Sequence, residues 1–334
     1  MARFPDTSSK NGCSMKFSNL QYYTFEAPFK SPIKTVKADL ETRKVLVISL
    51  EVDDQTYFAE SNAFETDWYH DETIDVVYQS VERIYKRIKE IEWQDYAELG
   101  ALLAPFQSTP HAMALFDYIG WQSLNERSAV TVPLGYTLHS GHSMNLENRV
   151  KIKWSEDVID VVKKVRATYP DINIAIDANG SLVVEDIPTL EALMAYDIDY
   201  FEEPFSDFRL YADNQHLPLA IDESASSIDQ ILKYYGAGVK TIIAKYARLG
   251  GGYPILAIKE AIPDLRVIVG GMYEYGLSKY FTATLASTCG TIPDVTPRGT
   301  YFAEDYSVYD EHVENGKLTM TFPEVDASRL NKLD

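Results

Sequence analysis

The chain has 334 residues, 46% of them hydrophobic and 24% charged, with 31 basic against 50 acidic side chains and a formal net charge of −19. That length buries a large core and suits one domain of about 200 to 250 residues with a smaller one beside it. The acidic balance argues against nucleic acid and anionic membrane as partners, because both are met by basic surfaces, but it leaves room for a small anionic substrate in a locally positive site.

Residues 1–14 read as a loose polar leader without the apolar core of a signal peptide. Cys13 and Cys289 form no CxxC pair, which argues against a disulfide framework and a cysteine zinc cluster and points to a reducing cytoplasm. No apolar run approaches the roughly 18 residues of a membrane span. From Lys16, "KFSNLQYYTFEAPF" and "KVLVISLEV" alternate or run apolar as strands do, and "QTYFAESNAF" reads as a third. In "DETIDVVYQSVERIYKRIKEI", Ile74, Val77, Val81, Ile84 and Ile88 keep one helical face apolar. "HAMALFDYIGWQSLNER" is a further helix. Strands followed by helices, segregated rather than alternating, predict a small α+β domain over residues 15–127.

Over residues 128–300 the rhythm changes. Short apolar runs, "AVTVPLGYTL", "RVKIKW", "INIAIDAN", "DIDYFEEPF", "LPLAIDES", "TIIAKYARLGG" and "RVIVGGMYEYG", alternate with helix-length segments such as "SEDVIDVVKKVRATYP". That spacing is the βα-unit signature, and seven or eight units close a barrel; an open doubly wound sheet is the alternative. There is no GxGxxG or GxxxxGK[ST] loop for a nucleotide phosphate. Residues 301–334 read as a return segment, with a hairpin turn at Asn315 and Gly316.

Five consecutive strands end in charge: Lys151 and Lys153, then Asp177, then Glu202 and Glu203, then Asp222 and Glu223, then Lys245. Taken singly, each has a plain structural explanation: a helix cap for Asp177 or Asp222, a solvated member of the Glu202 and Glu203 pair, a snorkelling Lys245. Taken together, they set three carboxylates around a barrel mouth with a lysine on either side. Converging carboxylates repel and need a cation, and hard oxygen ligands suit Mg²⁺. If both lysines of "KIK" face inward, Lys151 lies about 6.6 Å along the strand from Lys153. At an effective dielectric near 20 that like charge costs the Lys153 cation about 2.5 kcal/mol, which would make it a better base. His139 and His142, three apart, could ligate a metal, but with no acidic residue or cysteine beside them they read as a solvated or substrate-facing loop.

At these residues the chain resembles the enolase superfamily, in the subgroup that includes muconate cycloisomerase and o-succinylbenzoate synthase, and within it the branch shared by o-succinylbenzoate synthases and N-acylamino acid racemases. The resemblance is carried jointly by "KIK", "DANG", "FEEP", "DES", "AKYARLGG" and "GGMYEYG" and spans most of the chain. It implies an α/β fold, a modified (β/α)7β TIM barrel under an N-terminal α+β capping domain. It also implies Mg²⁺, with Mn²⁺ as a substitute, on Asp177, Glu202 and Asp222, with Lys153 and Lys245 as acid/base residues on opposite faces of the substrate and Lys151 as the charge that tunes Lys153. Asn179, Gly270, Gly271, Met272 and Glu274 are the implied substrate contacts, and "EAPFKSPIKT" resembles the capping segment that helps close such sites. The partner so implied is a small anionic carboxylate; a homo-oligomer is compatible with it. Two features depart from the pattern. Glu203 stands where the family often has Gln, so the ligand is assigned to Glu202, and Tyr275 stands where a small polar residue is common and would shape the pocket. The implied reaction is dehydration of 2-succinyl-6-hydroxy-2,4-cyclohexadiene-1-carboxylate to 2-succinylbenzoate in menaquinone biosynthesis, with racemisation of N-acylamino acids or dipeptides on the same residues as the alternative. A non-catalytic binding barrel is a third reading, which the intact lysine and carboxylate set speaks against.

Overall fold

Strand β1 (Ser18–Lys34) and β2 (Asp39–Val52) pair antiparallel, and β2 pairs with β3 (Gln55–Glu60). These elements belong to a computed structural model that describes residues 14–35, 38–138 and 147–333; most of the polar leader, together with His139 and His142, lies outside the described residues. Every residue from Val45 to Leu50 is buried, as a central strand covered on both faces requires. Helix α1 (Ile74–Ile88) starts at Thr73, whose hydroxyl accepts from the Val76 N–H, and buries Ile74, Val77, Val81, Ile84 and Ile88. Each such side chain contributes about 1.5–3 kcal/mol when fully buried. Helix α2 (Tyr96–Leu103) has only eight residues, too few for a clear periodicity, and is set by its cap: Asp95 accepts from the Glu98 N–H at 2.8 Å. Helix α3 (Pro110–Leu124) is buried on nearly all sides, because it packs against the capping sheet and helices as well as against barrel helices.

The run "AVTVPLGYTL", read above as one strand, is two. Strand β4 (Val130–Pro133) pairs antiparallel with a C-terminal strand, and β5 (Gly135–Leu138) opens the barrel. Pro133 has no N–H to continue a ladder, and the next N–H, on Leu134, turns to the Gly316 carbonyl at 2.8 Å. The βα alternation then runs as β6 (Arg149–Lys153), α4 (Val158–Thr168), β7 (Asn173–Asp177), α5 (Ile187–Leu193), β8 (Ile198–Glu202), α6 (Phe208–Asp213), β9 (Leu219–Ile221), α7 (Ile228–Gly236), β10 (Thr241–Ala244), α8 (Tyr246–Leu249), α9 (Gly252–Ala261), β11 (Arg266–Val269) and α10 (Gly276–Cys289). Strands β5 to β11 pair in parallel in sequence order, which is a curled barrel wall and not the doubly wound alternative. The eighth position is held by a single parallel bridge, Gly270 with Asp294. Ala175, Tyr200, Ala220, Ile243 and Ile268, one from each of five adjacent strands, form a separate buried cluster that fills the barrel interior as a layer of side chains.

The C-terminal segment adds β12 (Ser307–Val308), the hairpin β13 (Glu311–Glu314) and β14 (Lys317–Met320), β15 (Glu324–Val325) and β16 (Asn331–Lys332). The hairpin turns at Asn315 and Gly316, both at positive φ, as a two-residue primed turn requires. Strand β16 pairs with β1 through Tyr23 with Lys332 and Thr24 with Asn331, so the chain ends in the capping sheet. Tyr275 is not a pocket-shaping residue. It is buried, its hydroxyl donates to the Arg43 carbonyl at 2.7 Å and accepts from the Ala27 N–H at 3.1 Å, and it ties the barrel to β1 and β2.

Candidate active site

Side chains two apart on a strand share a face, so each inward core residue fixes what stands at the barrel mouth. Beyond Ala175 comes Asp177, beyond Tyr200 comes Glu202, beyond Ala220 comes Asp222, and beyond Ile243 comes Lys245. On β6 the inward row is Arg149, Lys151, Lys153. Register places Lys153 opposite Asp177, and Asp177 opposite Glu202. The "KIK" lysines therefore face the interior.

Lys151 is 6% exposed. Its ammonium lies 2.9 Å from Glu202 Oε1, 2.7 Å from Glu202 Oε2 and 2.9 Å from Asp294 Oδ2. Burial opposes that charge, but Asp294 and Glu202 outweigh burial and hold Lys151 protonated. Its charge is thus balanced locally by two carboxylates, so the uncompensated repulsion toward Lys153 expected above is not what the geometry provides. Lys153 reaches the rim, its side chain about half exposed, and donates to Asp177 and, at 2.9 Å, to Asn179 Oδ1. Asn179 also donates to Glu223 at 3.2 Å. Lys245 is buried and donates to both Asp222 oxygens at 2.9 and 2.8 Å. Burial disfavours its charge, and the Asp222 carboxylate more than restores it.

Three residues at the site were not singled out in the sequence. Asp294 takes the eighth barrel position, accepts from Arg149 and Lys151, and is held down to about 2 by those two cations against the opposing effect of burial. Arg248, one helical turn past Lys245, donates to Asp222 Oδ1 at 2.7 Å. Tyr69, from the capping loop after β3, has its hydroxyl 3.2 Å from Arg248 Nη1 and its ring 5.4 Å from the Lys245 ammonium.

Glu203 corrects the expectation that one of the acidic pair is solvated. Its φ is 38°, which folds the side chain inward, where it is 4% exposed. It accepts from the Asp222 and Ser224 N–H groups at 2.7 and 3.2 Å and from the Ser224 hydroxyl. It therefore braces the loop carrying Asp222, and burial pushes its carboxyl up to about 7. Between Glu202 and strand β9 the connecting helix, α6, has only six residues.

The glycines at the end of β11 make room for site side chains. A Cβ on Gly270 would meet Lys245 carbons at 3.3 Å, and one on Gly271 would meet Glu274 Oε2 at 2.5 Å. Glu274 Oε1 accepts from Asn62 at 2.9 Å and Thr282 at 2.8 Å, so this carboxylate is engaged with the capping domain. Met272 is half-buried beside Tyr273. Phe29, from the "EAPFKSPIKT" segment, packs edge-on against Tyr273 with ring centres 5.4 Å apart, which brings that segment to the loop after β11.

The donor set is, by its chemistry, one for a hard dication. Asp177, Glu202 and Asp222 are 4%, 1% and 7% exposed, and buried carboxylates need positive partners. Burial, with Asp177, Asp294 and Asp222 nearby, pushes the Glu202 carboxyl up to about 8 despite Lys151. Glu202 Oε2 has no partner with hydrogen-bond geometry. The three carboxylates are each drawn onto an ammonium and do not bring ligand atoms within 4.8 Å of one another; among the described residues the set that does is His70, Glu72 and His111.

A family model described as enolase C-terminal domain-like matches residues 143–324, more than half of the chain. The chain belongs to the enolase superfamily. Over its length this enolase-superfamily chain is similar to an o-succinylbenzoate synthase of Bacillus subtilis, 25% identical across 92% of each chain. It is also similar to an N-succinylamino acid racemase of Thermus thermophilus, 25% identical across 93% of each. A solved enolase-superfamily structure from Listeria innocua superposes with a TM-score of 0.84 at 22% identity, covering 96% of this chain and 98% of that one. Among the described residues no helix is long and apolar enough to cross a membrane.

Proposed function

We propose that the protein is a Mg²⁺-dependent o-succinylbenzoate synthase, a lyase that removes water from 2-succinyl-6-hydroxy-2,4-cyclohexadiene-1-carboxylate to give 2-succinylbenzoate. The observation that carries this reading is the flanking of three buried carboxylates by Lys153 on β6 and Lys245 after β10. Whole-length similarity to proteins named o-succinylbenzoate synthase supports it. Enolase-superfamily sites are known to combine a lysine or histidine base with Mg²⁺. Asp177, Glu202 and Asp222 would hold the ion, which supplies Lewis-acid stabilisation of the charge that builds on the substrate carboxylate.

The protein's own groups do the rest. Lys153, half exposed at the rim, takes the proton on the carbon bearing the carboxylate and later delivers it to the departing hydroxyl, so the ring carbon loses H, its neighbour loses OH, and water leaves. Lys245, held protonated, presents a cation to the opposite face. Arg149 and Lys151 hold Asp294 and Glu202 in place beneath them.

The Thermus thermophilus relative named as a racemase supports a second reading, in which the two lysines remove and replace one proton from opposite faces of an N-acylamino acid. Incubation with Mg²⁺ in D₂O separates them. Formation of the aromatic product from the cyclohexadiene, at a rate well above any exchange on N-succinylamino acids, is the expected result. Exchange and racemisation of N-succinylamino acids without dehydration would overturn the assignment in favour of the racemase.

A further inference from the structure

A second set of ligand-type side chains comes from the capping domain and shares no residue with the carboxylates of the barrel mouth. His70 and Glu72 come from the loop between β3 and α1, and His111 from the first turn of α3. One ring nitrogen of each histidine and one Glu72 oxygen all lie within 4.8 Å of one another. His111 and Glu72 are 1% and 4% exposed, and the two rings are 4.5 Å apart, centre to centre.

Part of this cluster has a structural task. The Thr109 side chain does not cap α3; instead Glu72 Oε2 accepts from the His111 N–H at 2.8 Å and faces His111 Nδ1 at 3.1 Å. That task uses one oxygen. The other, Glu72 Oε1, is buried with no hydrogen-bond partner. An unsatisfied buried acceptor is costly, the more so when charged, and this oxygen lacks a positive partner. Burial, then His111, push the His70 imidazole below its ordinary value, toward the neutral form that ligates metals. His70 Nδ1 accepts from the Glu72 N–H at 3.1 Å, with the Asp71 carboxylate 3.0 Å away, contacts that fix the plane of the ring.

We infer that His70, Glu72 and His111 form a binding site for a divalent transition metal of the zinc class, separate from the acidic cluster at the barrel mouth. Two imidazoles and one carboxylate are the donors that zinc takes, with water completing a tetrahedron, whereas an all-oxygen set favours Mg²⁺. The two sites therefore select different ions. The role is positional. The ion ties the 61–73 loop to α3 and so fixes Tyr69, next to His70 in sequence, against Arg248 at the mouth.

The test uses the full chain, stripped with chelator and then dialysed against Zn²⁺ with Mg²⁺ in large excess. About one Zn²⁺ per chain is expected to remain in the wild type and in Asp177→Asn, whose partner Lys153 is half exposed, and to be lost in His70→Ala and Glu72→Gln. His70 is the partly exposed member, so its removal is the variant that keeps the fold, checked by circular dichroism. In the wild type, Co²⁺ in place of Zn²⁺ is expected to give the intense visible absorption of a four-coordinate site. Failure of the wild type to keep Zn²⁺, equal zinc in His70→Ala, loss of zinc in a folded Asp177→Asn instead, or the pale spectrum of six-coordinate Co²⁺ would each overturn the assignment.

Discussion

Lys245 and Asp222 form a closed pair: the ammonium donates to both carboxylate oxygens, at 2.9 and 2.8 Å, with Arg248 on the same carboxylate. Each of the three is almost fully buried. A lysine so held is a cation standing where a metal ligand needs one, and turning Asp222 toward a dication would release the ammonium toward the substrate.

Replacing Lys245 by alanine is therefore expected to cut kcat by about 10²–10³-fold, the usual effect of losing one group that stabilises developing negative charge. The measurement is initial rate at saturating Mg²⁺. A variant within a few-fold of wild type would remove Lys245 from the mechanism.

Lys153→Ala is expected to lower kcat by about 10²–10⁴-fold while leaving the fold almost untouched at saturating Mg²⁺. Its own side chain is half exposed, and a dication on Asp177 would replace the positive partner that this buried carboxylate loses. Rates and thermal melts on the same preparation check both halves. Comparable losses of activity and melting temperature would mean that Lys153 supports the structure rather than the chemistry.

Asp222→Asn has the opposite signature. It leaves Lys245 and Arg248 buried without their carboxylate, and breaking a buried ion pair by removing one partner costs about 3–5 kcal/mol. The variant is expected to melt well below wild type with chelator present, when no dication is available to alter the comparison. Denaturant midpoints in EDTA measure this directly.

Metal removal alone is expected to abolish turnover while sparing the fold. Each mouth carboxylate has an ammonium beside it: Lys153 on Asp177, Lys151 on Glu202, Lys245 on Asp222. Activity lost in EDTA and regained with Mg²⁺, with an unchanged circular dichroism spectrum, is the expected outcome. Full activity after exhaustive chelation would sink the metal-dependent reading.

Much of this site was legible because strand period and strand ends leave little choice. Once Ala175, Tyr200, Ala220 and Ile243 point inward, Asp177, Glu202, Asp222 and Lys245 must too. What sequence could not supply came from elsewhere. Asp294 sits in the "TIPDV" segment, held by one bridge rather than by a strand with its own pattern. Tyr69 meets Arg248 across 179 positions of chain, from a loop with no periodicity at all. Glu203 depends on one backbone angle, a φ of 38°, that residue type does not announce. The break between β4 and β5 was signalled by Pro133, yet the apolar run on both sides masked it. The "DES" and "FEE" motifs, by contrast, follow apolar runs with a loop immediately behind, where period and boundary agree.

Two buried carboxyls outside the mouth contribute to the response to pH, in the same sense as Glu202, Glu203 and Glu274. Glu60 accepts from the Tyr306 hydroxyl at 2.6 Å and the Tyr275 N–H at 3.1 Å. Asp117 accepts from the Tyr96 hydroxyl at 2.8 Å and the Gly252 and Tyr253 N–H groups at 2.6 and 3.2 Å. Burial dominates at both and pushes each up to about 7, the hydrogen bonds offsetting only part of it. In the unfolded chain they titrate near 4. Between about pH 4 and 7 the folded state therefore binds more protons than the unfolded one, and stability falls as pH rises through that window. The contribution is fully present below about pH 4 and is gone above about pH 7. Asp222 and Asp294, whose carboxyls are held low by their cations, act in the opposite sense, but at pH values below this window. The melting temperature is thus expected to be lower at about pH 8 than at about pH 5, and Glu60→Gln, which is uncharged at both, is expected to flatten the difference. A midpoint that instead rises across the interval would show that these carboxyls are already ionised in the folded protein, with Arg43 beside Glu60 supplying more charge than burial removes.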